Sequence, residues 1–243
     1  MIGFRLRRGF EEERPSGMMG LSIGQRDNFY YLFAGLLVLI VVGPVLTASL
    51  GDLGAFFAEV SLTITLIVAL WSLRSSPGVF FFAIALVLGN ILSAGAGLLL
   101  GNRAADVLSQ VIALAFFVLC SVVAAREIFR ADRIDLNKIV GALCIYLLIG
   151  VIFAVGYQLL ENFLPGSFSG FEEHQGLALA WRHLYFSFVT LTTLGYGDVL
   201  PLTEYAETLV VLEAVLGQFY LAVLVAGLVS SYLSDRERRQ DSK

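Results

Sequence analysis

The sequence predicts an all-α membrane protein, with six transmembrane helices and one re-entrant helix and loop per chain. Three observations carry this. Of the 243 residues, 58% are hydrophobic and only 15% are charged, whereas a soluble domain carries about 25% charge. Apolar runs of 18 to 26 residues recur at 29–50, 56–73, 79–100, 104–125, 139–160 and 208–233. Each is long enough for a helix to cross a hydrocarbon core, and helices are the open-chain structure that satisfies its own backbone there. Finally, the segment 161–205 holds a shorter apolar stretch that stops at two glycines, Gly195 and Gly197. Surface-to-volume scaling denies a single soluble core the capacity to hide this much apolar surface. A soluble enzyme is thereby excluded, as are a disordered chain and a secreted disulfide scaffold.

An N-terminal arm, 1–28, comes first. It carries Arg5, Arg7, Arg8, Arg14 and Arg26 around Glu11, Glu12 and Glu13. Arg7-Arg8-Gly9-Phe10 has the outline of a twin-arginine export signal, but no apolar stretch follows it closely. The first run, 22 residues long, exceeds a signal-peptide core and reads as a retained anchor. Pro44 lies inside it and predicts a kink, because proline has no N–H to donate and its ring crowds the preceding turn.

The first four runs form a four-helix domain, 29–125. Glu59 lies near the outer third of the second run and reads as an interfacial contact. The fourth run lacks the repeated arginines on which a membrane field could do work; only Asp106 sits near its end. Steep voltage gating is therefore not expected. The segment 126–138 mixes charges with Ile128, Phe129, Ile134 and Leu136. It reads as a cytoplasmic linker, either lying along the membrane face or simply anchored by its basic residues. A second membrane domain spans 139–234, and the tail, 235–243, is too short to fold into a ligand-binding domain.

Orientation follows from the basic residues. With the N-terminus inside, the arm, Arg74, the 126–138 linker and the tail place fourteen of the sixteen lysines and arginines in the cytoplasm. Only Arg103 and Arg182 face out. Both termini are thus expected in the cytoplasm, in a multi-pass cell-membrane protein.

The stretch 177–192 is short for a span and ends abruptly at the glycines. Were it to cross, the C-terminus would move outside and the charge bias would collapse. A helix that enters from outside and returns fits better. Non-helical backbone at membrane depth survives only where it lines a cavity or is buried in protein, so the loop predicts a hole. Other features are weaker. Cys120 and Cys144 read as buried thiols, the two histidines, His174 and His183, form no metal-ligand cluster, and a net charge of −4 gives no reason to expect nucleic acid.

Thr193-Leu194-Gly195-Tyr196-Gly197 resembles the selectivity filter of the potassium-channel pore-loop family, usually written Thr-Val-Gly-Tyr-Gly. The likeness extends over about 137–234 and is nearest to bacterial inner-membrane and two-pore-domain members. It implies that 139–234 is a pore domain of outer helix, pore helix, filter and inner helix, and that four identical subunits close a homotetrameric pore. Each chain would then have three identical partners and a lipid surround, with no cofactor and no catalytic residue.

The resemblance assigns K+, the permeant ion, to carbonyls of Thr193, Leu194, Gly195 and Tyr196, with the Thr193 hydroxyl at the inner end. Carbonyl rings of this kind replace an ion's hydration shell, and glycine tolerates the positive φ such a ribbon requires. Leu194 stands where valine is usual and leaves a poorly selective cation channel as an alternative. Asp198 marks the outer mouth beside Glu172, Glu173, Glu204 and Glu207, and Tyr185 occupies the place of an aromatic brace for that aspartate. Val189 replaces a pore-helix glutamate that many members carry.

In the sixth run Gly217 falls at the family's hinge position, with close packing as the plainer reading. Thr192, Gln218, Leu221, Val225 and Val229 are candidates to face the cavity and gate. Glu213, an acid inside a span, is a candidate brace behind the filter or a proton site.

A different chemistry shares one signature. Gly195-Tyr196-Gly197-Asp198 also matches the Gly-x-Gly-Asp of intramembrane aspartyl proteases. That reaction needs a second aspartate to share a proton. Asp27, Asp52, Asp106, Asp132, Asp135, Asp235 and Asp241 all lie at span ends, loops or tails, and Val199-Leu200-Pro201 is not that family's Pro-Ala-Leu. A non-conducting regulatory subunit is a further alternative.

Overall fold

The structure, a computed structural model of the chain, describes residues 28–50, 77–100, 103–129, 136–171 and 176–241. The second apolar run, Glu59, Glu172, Glu173 and His174 lie outside the described residues. The described residues form seven α-helices, one π-helical stretch and one short ladder: α1 (Asn28–Leu37), the π-helical Val38–Val42, α2 (Gly43–Leu50), α3 (Pro77–Leu100), α4 (Arg103–Phe129), α5 (Leu136–Phe163), β1 (Phe168–Ser169), α6 (Gly176–Leu191), β2 (Leu200–Pro201) and α7 (Glu204–Asp241). Among the described residues, four helices are long and apolar enough to cross a membrane: Phe29–Ser49, Arg103–Ile128, Leu136–Phe163 and Glu204–Gly227. The described apolar part of α3, Phe80–Ser93, is shorter. The chain is a mostly helical membrane protein.

The helix of the first run is irregular just before Pro44. A π-helical stretch, Val38–Val42, joins α1 to α2 immediately before Gly43-Pro44. Proline cannot donate to the carbonyl four residues back, and a widened turn absorbs the misfit. Two other elements extend past the apolar runs. The fourth run continues to Phe129 and the fifth begins at Leu136, with 130–135 outside the described residues. Helical hydrogen bonding continues past the apolar positions because Arg126 and Glu127 are good helix formers.

α5 is the central column. α1, α4, α6 and α7 all pack on it. Its buried face, Gly141, Ala142, Cys144, Ile145, Leu148, Gly150, Val151, Ala154 and Tyr157, recurs at three- and four-residue spacing, the stripe a packed helix needs. Small residues let neighbours approach closely: a Cβ on Gly141 would stand 3.0 Å from the Phe29 ring, and one on Gly150 2.8 Å from Phe188. Phe29, Leu32, Leu36, Phe116, Phe117 and Leu148 join this core, which runs from α1 through α4 to α6.

A second cluster, Tyr157, Phe168, Phe171, Phe186, Val199 and Ala206, sits under the loops that flank α6. There β1 and β2 pair antiparallel, Phe168 with Pro201 and Ser169 with Leu200. The Leu202 N–H extends the tie to the Ser167 carbonyl at 2.8 Å. Glu161, at the end of α5, accepts from the Gly166 and Ser167 amides at 2.7 and 3.1 Å. Thr203 caps α7 by accepting from the Ala206 amide at 3.3 Å, as a threonine before a helix does. Glu204 and Glu207 lie in that helix's first turn, where the positive end of the dipole favours acids.

Candidate functional site

α6 occupies Gly176–Leu191, is too short to cross a bilayer, and ends on the segment Thr192–Asp198. Three helices hold it. From α2, Gly43 presses against Trp181 so closely that a Cβ there would be 2.6 Å from the indole, and the Trp181 Nε1–H donates to Thr47 Oγ1 at 3.0 Å. From α5, the Gly150 carbonyl accepts from the Ser187 hydroxyl at 2.7 Å, and the Tyr146 hydroxyl donates to the Leu191 carbonyl at 3.2 Å. From α7, Gly217 is buried against Leu191, where an added Cβ would lie 2.7 Å from Cδ1 and 2.9 Å from the carbonyl oxygen. The Gly217 contact is close packing.

Past Leu191 the backbone alternates. Positive φ occurs at Thr193 (59°), Gly195 (57°) and Gly197 (76°), every second residue. Nothing lies within 4 Å of a Cβ added at Gly195 or Gly197, so within one chain it is φ and not space that favours glycine there. Thr193 is the informative position, because a β-branched residue at positive φ is a steric outlier. Such strain persists where surrounding contacts over-determine the backbone, typically at functional sites.

Those contacts come from the end of α6. The Thr193 N–H donates to the Thr190 carbonyl at 2.9 Å, and the amides of Leu194 and Gly195 both donate to the Val189 carbonyl, at 2.9 and 3.2 Å. Among the described residues no peptide bond is cis, and in a trans peptide the N–H and the preceding C=O point in opposite directions. The carbonyls of Thr192, Thr193 and Leu194 are thereby turned away from α6. Residues 192–198 are all exposed in the single chain. Thr192 stays tied to the helix end, its Oγ1 donating to the Phe188 carbonyl at 2.6 Å.

At the outer end, Asp198 Oδ2 accepts from Tyr185 at 3.0 Å and from Arg182 Nη2 at 2.9 Å. The Arg182 guanidinium also lies 4.9 Å above the Tyr185 ring, a cation–π distance, and Tyr185 stacks on Tyr196 with planes 7° apart. Partial desolvation raises the Asp198 pKa, but the hydrogen bonds from Tyr185, its own backbone and Arg182, with the Arg182 charge, outweigh this and hold the carboxyl below its usual range. Asp198 is thus one half of an ion pair and not a bare charge. Behind it, Gly170 at φ 84° lets the loop approach the Asp198 carbonyl; a Cβ there would stand 2.3 Å from that oxygen. Glu204 and Glu207 are exposed on the first turn of α7.

Glu213, on α7, has no solvent exposure. Its Oε2 meets the Tyr157 hydroxyl of α5 and its Oε1 meets the Ser187 hydroxyl of α6. One turn further along each helix is the Gly217–Leu191 contact, so α6 and α7 meet at two points in register. Tyr146 and Tyr220 stack between α5 and α7, with rings 6.1 Å apart, and the Tyr220 hydroxyl donates to the Ala142 carbonyl at 2.6 Å. On α7, Gln218 and Val225 are exposed and Leu221 is half-buried; the Val229 side chain lies outside the described residues.

Several partners escape sequence reasoning. Arg182 reads there only as an outward charge, although it lies three residues before Tyr185 on one helix face. Ser187, Tyr157, Tyr146 and the Trp181–Thr47 pair carry no local signal, since each gains its role from an element distant in sequence.

Residues 145–233 match a family described as "Ion channel". The chain is 36% identical over 83 residues to the inward rectifier potassium channel Kirbac3.1 of Paramagnetospirillum magnetotacticum, covering 32% of this chain and 24% of that one. It is 30% identical over 102 residues to two-pore potassium channel 5 of Arabidopsis thaliana, covering 42% of this chain and 22% of the other. The chain thus spans about a quarter of the length of the curated relatives it matches. No solved structure matches it significantly. The match covers α6, the alternating loop and most of α5 and α7, the elements that build the site. Residues 145–233 are thus similar to an ion-channel family, and the two relatives they resemble are named as potassium channels.

Proposed function

We propose that this protein is one subunit of a homotetrameric, potassium-selective channel that passes K+ passively across a cell membrane. The observation that carries the reading is the alternating positive φ at Thr193, Gly195 and Gly197, together with amides of 193–195 directed back at α6. A ribbon of this kind supplies carbonyl oxygens on its free side, and carbonyl rings are what replaces water around a bare K+. One chain offers one ribbon, and a ring needs copies related by closed cyclic symmetry. The exposed apolar face of α7, including Val211, Val215, Phe219 and Val223, is suited to neighbouring subunits and lipid. In this reading Gln218, Leu221, Val225 and Val229 line the cavity below Thr192 and Thr193, the bacterial inner membrane is the location, and both termini are cytoplasmic.

Potassium flux into liposomes containing the purified chain tests this, with Gly195→Ala and Tyr196→Ala as controls. Wild-type flux should be blocked by barium, and both variants should lose it. Flux that survives both substitutions contradicts the filter assignment. Reversal potentials in mixed gradients decide between potassium selectivity and the poorly selective alternative that Leu194 raises; a potential tracking sodium selects the latter.

A further inference from the structure

We propose that Glu213 is a neutral carboxylic acid that donates its proton to Ser187 while accepting one from Tyr157, so that one side chain fastens the pore helix to both the outer and the inner helix. The inference deepens the channel reading and makes Glu213 a positioning residue for the filter.

A count of protons carries it. The Ser187 hydroxyl owns one proton and has two oxygen partners, the Gly150 carbonyl at 2.7 Å and Glu213 Oε1. A carbonyl can only accept, so the Gly150 contact takes the Ser187 proton. The contact between Ser187 and Glu213 then needs a proton from the carboxyl. Tyr157 gives its single proton to Oε2, the oxygen that carries none. Each hydrogen between these four groups is then used once. With an ionised carboxyl, either the Gly150 contact or the Ser187–Glu213 contact becomes two lone pairs facing each other.

The surroundings agree. Glu213 is fully buried, and both polar partners are hydroxyls that bring no charge to balance a carboxylate. The titratable groups that face this region are Tyr157 and Tyr146 from α5 and, one turn before Ser187 on α6, His183. The His183 Nδ1 lies 2.8 Å from the Leu179 carbonyl and its buried Nε2 has no partner, the pattern of an uncharged ring. A protonated acid in this place joins three helices at the level where α6 hands over to Thr193, one turn from the Leu191–Gly217 contact. Val189, which stands where many pore-loop proteins carry a glutamate on the pore helix itself, leaves this fastening to the inner helix.

The test uses the full chain reconstituted in liposomes, with Glu213→Gln, Glu213→Met and Ser187→Ala. Glutamine reproduces the pattern, its amide nitrogen donating to Ser187 and its oxygen accepting from Tyr157; methionine fills the volume without hydrogen bonds. E213Q should keep the wild-type potassium-to-sodium permeability ratio and thermal midpoint, whereas E213M should lower the ratio by about tenfold, the scale of one buried hydroxyl left unpaired. The infrared difference between wild type and E213Q at neutral pH should contain the carbonyl stretch of a protonated carboxyl, and S187A should shift that band to higher frequency by removing the acceptor. Absence of the band overturns the proposal, as does an E213Q variant no better than E213M, or an E213M variant equal to wild type. Were the wild type to pass no potassium, the channel reading would fail, while the infrared band would still decide the state of Glu213.

Discussion

Gly217 on α7 lies directly on Leu191 at the end of α6, with space for a hydrogen but not for a methyl group. Leu191 Cδ1, 2.7 Å from a Cβ built there, is a side-chain end that can turn away; the backbone carbonyl oxygen of Leu191, at 2.9 Å, is the limiting atom. That oxygen is also the acceptor for Tyr146, so it cannot swing aside without breaking a hydrogen bond. The last turn of α6 is clamped between α5 and α7, and the alternating loop begins from that fixed point.

Gly217→Ala should therefore destabilise the assembled protein by about 1–3 kcal/mol, the usual cost of overpacking. Gly227→Ala on the same helix is the contrast. Nothing lies within 4 Å of its added Cβ, and the substitution should be neutral or stabilising by up to about 1 kcal/mol. Thermal unfolding of both variants checks this. A normal midpoint with altered open probability in G217A would favour a hinge at this position over close packing.

The Arg182–Asp198 pair makes a salt-dependent prediction. Arg182→Gln exposes the Asp198 charge at the outer mouth and should raise cation conductance at low ionic strength. The difference from wild type should vanish near 1 M salt, where the Debye length is about 3 Å. Conductance measured across an ionic-strength series decides this; equal gains at all salt concentrations would point to a cause other than field.

The same pair fixes a pH window. The folded carboxyl of Asp198 is held below its usual range, so its contribution is fully present above the unfolded value, about 3.9. It is lost only as the pH falls through the depressed folded value. R182Q and Tyr185→Phe each remove one of the hydrogen bonds that depress it, and each should move the Asp198 titration upward. Carboxyl carbon chemical shifts followed by NMR against pH report the midpoint directly.

The contact between α2 and α6 is testable by size. Gly43→Ala places a methyl group 2.6 Å from the Trp181 ring, and a stiff indole held by Thr47 has little freedom to move. A loss of about 1–3 kcal/mol in thermal stability is expected. The double variant Gly43→Ala, Trp181→Leu should recover part of it; a double variant worse than the sum of its parts would show that Trp181 is not what the methyl group meets.

Much of the architecture was legible because a bilayer imposes long apolar runs. The runs around 29–50, 104–125, 139–160 and 208–233 each lie within described helices, with ends displaced by a few residues where Arg126, Glu127 and Glu204 continue a helix beyond its apolar part. The short stretch before the glycines was readable as a helix that stops, and the signature at Thr193–Gly197 as a pore-loop resemblance. The π-helical stretch before Pro44 was not readable, since proline reports that a hydrogen bond is missing but not how the chain accommodates the loss. The positive φ at Thr193 was likewise hidden, because only glycine advertises that conformation in sequence.

Hydrophobic run length was enough to establish a helical membrane protein, and one five-residue signature to point to its resemblance to a potassium-channel pore loop. These are local properties, legible along a single strand of text. The tertiary structure alone decided that Arg182 pairs with Asp198, that Gly217 seats Leu191, and that Tyr157 and Ser187 enclose Glu213. Those residues lie 16 to 56 positions apart, and a hydrogen bond or a steric contact depends on where helices cross, which no spacing within one helix can specify.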